Sequence, residues 1–178
     1  MRRHSRLLTC TAALVSLVMQ ACVSAGHRPP GHLTARTPSD VALRSTVAIS
    51  TPLAPRTGSE SQAIAAGGFL FASGQLPLDP KTGEIVGGST ERAAGRVFDN
   101  LEAVLRAAGL TLADVVKTTV ILTSERELAE LDPVYRRRFA GHLPARTVFV
   151  ADSVVCDCLL EIDVIARTRD AGASPEAR

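Results

Sequence analysis

The chain has 178 residues, 46% of them hydrophobic, and a net charge of +2. That is enough for one domain once the ends are set aside. Arg2, Arg3 and Arg6 account for three of the positive charges, and subtracting them leaves the remainder near −1, which argues against a nucleic-acid footprint. Five Phe, one Tyr and no Trp offer no stacking platform for single-stranded nucleic acid.

Residues 1–22 read as an export signal. Arg2, Arg3 and Arg6 form its positive start, and Leu7 to Met19 an apolar stretch too short to span a bilayer as a mature helix. Ala21-Cys22 resembles a lipoprotein cleavage site, which would leave Cys22 acylated and the protein attached to a membrane. Val23-Ser24-Ala25 suits ordinary signal peptidase instead, releasing a soluble protein from Gly26. A twin-arginine signal at Arg2-Arg3 is a third reading, and a mis-assigned start or a cytoplasmic tail the bland one. The expectation is an exported protein, periplasmic or membrane-anchored. Residues 23–46, with no apolar period, read as a flexible tether, and residues 169–178 as a disordered tail. The folded domain is expected over 47–168.

Within it, Val47 to Ser50 is a short strand ended by Pro52 and Pro55, and Gln62 to Ala66 a second. Gly67-Gly68 signals a turn into a strand over Phe69–Gln75. Asp79-Pro80-Lys81-Thr82-Gly83 is a turn leading into Glu84-Ile85-Val86. These pieces predict an antiparallel meander. Ser89 or Thr90 caps a helix in which Val97, Leu101, Val104, Leu105 and Ala108 recur at helical spacing, and Gly109 closes it. Val115 to Leu122, β-branched almost throughout, reads as a central strand. Ser124 and Glu127 have capping-box spacing for a short helical turn. Asp132-Pro133 reads as the cap and first position of a separate helix ending near Ala140. Two strands close the domain. The order predicts an α+β fold, a mixed sheet with helices on one face. The uncovered face and the scarcity of aromatics point to homo-oligomerisation.

The last two strands carry the chemistry. Arg146 stands in Pro144-Ala145-Arg146-Thr147-Val148-Phe149-Val150, and Glu161 in the apolar run Leu159 to Ala166. A charge in an apolar strand is costly unless paired or used. Opposite charges on strands able to neighbour each other suggest an anion site with a general base beside it; a structural ion pair across adjacent strands is the bland alternative. Cys156 and Cys158, two apart on a strand, would share a face, too far apart for an unstrained disulfide. They read as small buried thiols packed under a sheet, and no His or further Cys lies near enough for a metal site.

Ser61-Gln62-Ala63, Ala72-Ser73-Gly74-Gln75-Leu76-Pro77, Asp79 to Glu84, Gly87-Gly88, Asn100-Leu101, Val116 to Val120, Val134-Tyr135, Pro144 to Thr147 and Glu161-Ile162 together resemble the YjgF/RidA family of enamine/imine deaminases. The resemblance spans nearly the whole compact region in one order. It implies a chorismate-mutase-like fold, a homotrimer with clefts between subunits, and hydrolysis of reactive 2-enamino and 2-imino acids to 2-keto acids and ammonia, without cofactor or metal. It makes Arg146 the clamp on the carboxylate of a small substrate and Glu161 the group that positions water or moves protons. Ser73, Gly74, Val148 and Glu60 fall at substrate-binding positions. The residue chemistry agrees, since arginine's planar fork matches a carboxylate and a protonated imine needs little beyond an oriented water and a base.

Two departures stand out. Where the family commonly has a tyrosine facing the cleft, this chain has Glu60, expected to compete for Arg146 if it faces that residue; where the family has a cysteine, it has Val148. Both lead us to expect reduced activity. A non-catalytic trimer that binds small carboxylates or acts as a holdase at the cell envelope is the alternative. Ribonuclease activity, attached to some relatives, fits poorly with the near-neutral charge and the absence of a well-placed histidine.

Overall fold

A computed structural model of the chain describes residues 46–56 and 58–168. The export-signal and tail readings, and the tether reading apart from Thr46, fall on residues outside those described. Among the described residues no helix is long and apolar enough to cross a membrane.

The described chain forms one six-stranded sheet with two α-helices: β1 (Val47–Ile49), β2 (Ala63–Ala66), β3 (Phe69–Gln75), α1 (Thr90–Ala107), β4 (Val115–Leu122), α2 (Glu125–Phe139), β5 (Ala145–Val150) and β6 (Leu160–Arg167). The spatial order is β1-β2-β3-β6-β4-β5. The first three strands are the expected antiparallel meander. β6 inserts antiparallel between β3 and β4, and β5 lies parallel to β4 at the edge.

The two helices share one face for a topological reason. Both β3 and β4 run antiparallel to β6, so they are parallel to each other and α1 is their crossover; α2 is the crossover from β4 to β5. Successive right-handed crossovers stepping the same way across a sheet leave their helices on the same side. Between them Leu160, Ile162, Val164 and Ala166 of β6 point inward with Val120 and Leu122 of β4, against Val97, Leu101, Val104 and Leu105 of α1. Each such aliphatic side chain contributes about 1.5–3 kcal/mol by burial. Period-2 alternation in β6 therefore aims Glu161, Asp163 and Ile165 at the opposite, uncovered face.

Both helix starts follow the sequence. Ser89 caps α1 by accepting from the Arg92 N–H, and Gly109, at φ 73°, accompanies its close. Ser124 and Glu127 form the capping box of α2. α2 departs from expectation in its length. Asp132-Pro133 does not begin a helix; α2 starts at Glu125 and runs through Pro133. Proline inside a helix costs about 3 kcal/mol, opposed here by the burial of Leu131, Val134, Tyr135 and Phe139. Phe98 of α1 packs edge-on against Tyr135 (5.9 Å between centroids) and Phe139 (5.6 Å). Arg138 bridges to Asp99 and Glu102 on α1.

Two smaller expectations are corrected. Glu84-Ile85-Val86 forms no strand, only an isolated bridge from Ile85 to Leu78, because the Asp79 turn closes within a few residues. Cys156 and Cys158 lie not on a strand but around a 3-10 turn (Val155–Asp157), with Cys156 left-handed at φ 62°. Cys158 is buried as expected, whereas Cys156 is exposed.

Candidate active site

On the uncovered side of the sheet a solvent-open cavity of about 920 Å³ is walled by the loop after β1, the end of β3, the Leu76–Pro80 segment, the 3-10 turn and Glu161. Its position is fixed by two buried amides. Gln62 accepts from the Thr51 N–H at 2.6 Å and donates to the Ala54 and Pro55 carbonyls at 2.9 Å, pinning the first loop. Asn100 of α1 donates to the Leu76 and Leu78 carbonyls at 3.0 Å and holds the opposite wall. The Ser61-Gln62 and Asn100-Leu101 motifs thus act first as carpentry for the cavity. Leu76, Leu78, Val154 and Cys158 form a small apolar cluster under its rim.

Glu161 enters this cavity beside Gly74. A side chain at position 74 would overlap the Glu161 carboxylate, with a β-carbon 2.5 Å from its Cδ. The strand pairing between β3 and β6 is irregular between Ala72 and Gln75, which brings this stretch of backbone over the glutamate. Burial first, then the negative charges of Asp163 and Glu60, push the Glu161 carboxyl above its ordinary value near 4.5. It is thereby a stronger base than a surface carboxylate.

Ser73 and Glu60 line the same cavity. The Ser73 hydroxyl is spent on the Ser61 carbonyl at 2.7 Å, so its part is to fix the wall. Glu60 accepts from the Ser59 hydroxyl at 2.7 Å. Arg56, which the sequence did not single out, and Cys156, expected as a buried thiol, also stand on the cavity wall. The placement of Arg56 two residues before the Gly58 turn was the only available signal. The left-handed turn that exposes Cys156 had none. Burial, followed by the charges of Cys156, Glu161 and Asp157, pushes the Cys158 thiol up and keeps it protonated.

Arg146 and Val148 lie elsewhere. Arg146 is opposite Thr118 on β4, whose hydroxyl shares a 2.8 Å hydrogen bond with Tyr135 on the helix side. Its guanidinium follows that face, donating from Nη1 to Asp132 Oδ1 at 2.7 Å and stacking 4.6 Å from the Tyr135 ring. Val148, two residues on, packs against the main core. Glu161 is opposite Ile121 on β4 and faces the other way. The expectation that the two charged strands neighbour each other is therefore corrected: β4 lies between them, and within one chain Arg146 and Glu161 point to opposite faces. The carboxylate on Arg146 in the chain is Asp132, not Glu60, which instead faces Glu161. Burial, only partly opposed by the Thr118 hydrogen bond and by Arg146, pushes the Tyr135 phenol up, so it stays neutral under the guanidinium. Among the described residues no cluster of three or more His, Cys, Asp or Glu is placed to hold a metal.

A mixed sheet backed by two helices, with a glutamate carboxylate pressed against a glycine in an open hollow, makes this an α+β domain with a candidate site on its uncovered face. Residues 52–168 match the family described as Endoribonuclease L-PSP, and the chain belongs to it, within the YjgF/RidA group. A RutC family protein of Pyrococcus horikoshii is 44% identical over 119 residues, covering 66% of this chain and 94% of the relative. The 2-iminobutanoate/2-iminopropanoate deaminase of Rattus norvegicus is 35% identical over 119 residues, 66% of this chain and 87% of that enzyme. The crystal structure of Escherichia coli TdcF with bound serine superposes with a TM-score of 0.66 at 33% identity, covering 69% of this chain and 99% of that one.

Proposed function

We propose that the chain hydrolyses 2-imino and 2-enamino acids to 2-keto acids and ammonia. The observation that carries this reading is the Glu161 carboxylate, raised in basicity and seated on Gly74 in a solvent-open cavity. The rat relative's name as an imine deaminase and the serine held by TdcF, a small amino acid, support it. An enamine is first protonated at C3 to give the iminium. Glu161 then takes a proton from water as its oxygen bonds to the iminium carbon and the C=N π pair moves to nitrogen. In the resulting carbinolamine the nitrogen is protonated, the C–N bond breaks, ammonia leaves, and the hydroxyl proton returns to solvent through the carboxylate. Each step asks only for positioning and one base.

In this reading Arg146 clamps the substrate carboxylate. Because Arg146 and Glu161 face opposite sides of one chain, a complete site takes Arg146 from one copy and the Glu161 cavity from the next. A homotrimer, closed by the uncovered sheet faces with Phe69 and Phe71 among their exposed side chains, is the assembly proposed. Export, with or without acylation of Cys22, belongs to the same proposal. The test is turnover of enzymically generated 2-aminoacrylate by wild type, Arg146→Ala and Glu161→Gln. Losses of a hundredfold or more in both variants are expected, and rates equal to wild type refute the reading. Glu60, a second carboxylate in the cavity, favours the alternative of a carboxylate-binding trimer without catalysis; saturable ligand binding with no turnover in wild type is its signature.

A further inference from the structure

We propose that Asp132 is a specificity-determining residue that receives the positively charged nitrogen of the substrate, so that Arg146 and Asp132 together recognise a 2-iminium or 2-ammonium acid rather than a plain carboxylate. The inference rests on the reading of Arg146 as the carboxylate clamp.

The geometry is that of a half-used ion pair. Arg146 Nη1 meets Asp132 Oδ1 at 2.7 Å. This is the only hydrogen bond either side chain makes among the described residues, so Asp132 Oδ2 and most of the five guanidinium donors remain for a ligand. Both side chains are reached by solvent, at 27% and 35% exposure. Both are also held in place. Arg146 rests on the Tyr135 ring, which is locked by its bond to Thr118 and its packing on Phe98. Asp132 is borne by α2 beside the buried Leu131.

A clamp so arranged selects by charge. The pair sums to zero, so a lone carboxylate approaching Arg146 is attracted by the guanidinium and repelled by Asp132 at similar range. A ligand carrying its own cation one bond from the carboxylate escapes that repulsion. Its carboxylate takes the free side of the guanidinium while its N–H donates to Asp132 Oδ2, and four alternating charges close a ring. In the proposed reaction the iminium fits and the 2-keto acid product does not, because hydrolysis removes the nitrogen. Asp132 also favours the protonated imine, the form whose carbon water attacks. One residue thus distinguishes substrate from product and keeps the substrate in its reactive state.

The experiment is an NMR-detected titration of the full chain with L-alanine and with propanoate, which lacks only the ammonium group. Wild type, Asp132→Asn and Arg146→Ala are compared, with thermal melts confirming that each folds. Wild type is expected to bind alanine about fivefold more tightly than propanoate, the upper end of what one partly exposed charge contact supplies. Asp132→Asn is expected to lose that preference by weakening alanine and tightening propanoate, and Arg146→Ala to lose both ligands. If wild type shows no preference, or if Asp132→Asn keeps it, this proposal falls while the clamp stands. An equal loss of both ligands in Asp132→Asn also overturns it, since Asp132 would then only steady Arg146. If Arg146→Ala binds both ligands as wild type does, the clamp itself falls and takes this proposal with it.

Discussion

Gly74→Ala separates the chemistry of the cavity from the stability of the fold. A β-carbon at position 74 would stand 2.5 Å from Cδ and 2.8 Å from Cγ of Glu161. Oε1 lies nearer still, and ordinary contact begins near 3.4 Å, so the carboxylate has to retreat by more than about 1 Å. The part that moves is the flexible end of a half-buried side chain, for which an off-rotamer excursion costs about 0.5–1.5 kcal/mol. No positive φ is required at Gly74. Alanine there also restricts the unfolded chain, which returns roughly 0.4–1 kcal/mol. The net loss of stability is then under about 1 kcal/mol, a melting shift of roughly 4 °C for a domain of this size. Activity responds differently, because a misplacement of about 1 Å in a catalytic group can cost about a hundredfold. Paired melting curves and 2-aminoacrylate turnover are expected to show a nearly unchanged midpoint and a loss of about two orders of magnitude. A variant that turns over within threefold of wild type refutes the placement of Glu161 as the base. One that melts far lower refutes the account of Gly74 as a neighbour of that carboxylate alone.

Glu161 also leaves a signature in stability against pH. Its folded-state pKa is raised, so the native state binds more protons than the unfolded chain between the ordinary value near 4.5 and the raised one, and stability falls as pH rises through that window. Glu161→Gln is expected to remove this decline, so that the variant gains on wild type from pH 4 to pH 8 in urea titrations; parallel profiles for the two proteins would refute the shift. Asn100→Ala removes both bonds to the Leu76 and Leu78 carbonyls at a fully buried position. The Leu76 carbonyl keeps a bond from the Leu78 N–H, so the expected cost is about 2–3 kcal/mol for the stranded groups, read as a lower urea midpoint. A cost below about 1 kcal/mol would show that the cavity wall does not depend on Asn100.

The strands, α1 and the inward side of β6 were legible because one face of each is apolar and the other is not, so periodicity reports burial directly. Leu160, Ile162 and Val164 alternate with Glu161 and Asp163, a pattern that carries the outward facing of Glu161, although the expectation for this strand was only an apolar run holding a charge. The same argument fails for β5, where nearly every residue is exposed and alternation carries no direction for Arg146. Its facing is set instead by register with Thr118, and register between distant strands is not written in either strand alone. Insertion of β6 between β3 and β4 is likewise a long-range choice. The start of α2 was marked by Ser124 and Glu127, but Pro133 imitated a second start. Local proline chemistry lost to the burial of Leu131 and Tyr135 on either side of it. The exposure of Cys156 was missed because a left-handed turn at a non-glycine residue leaves no compositional trace.

The arrangement has a consequence for how the two halves of the site tolerate change. Glu161 and Gly74 are held by β3, β6 and the clamps made by Gln62 and Asn100. Arg146 and Asp132 are held by β5, α2 and the Tyr135 platform on the other face of the sheet. Among the described residues no hydrogen bond joins the two groups, and β4 separates their strands. Residues so isolated perturb stability independently. In an assembled site, by contrast, both act on one ligand, and their effects on turnover cannot be independent. Additive effects on melting combined with non-additive effects on turnover are therefore what a site shared between copies demands. Additivity in both would mean that the clamp and the base never meet on the same molecule.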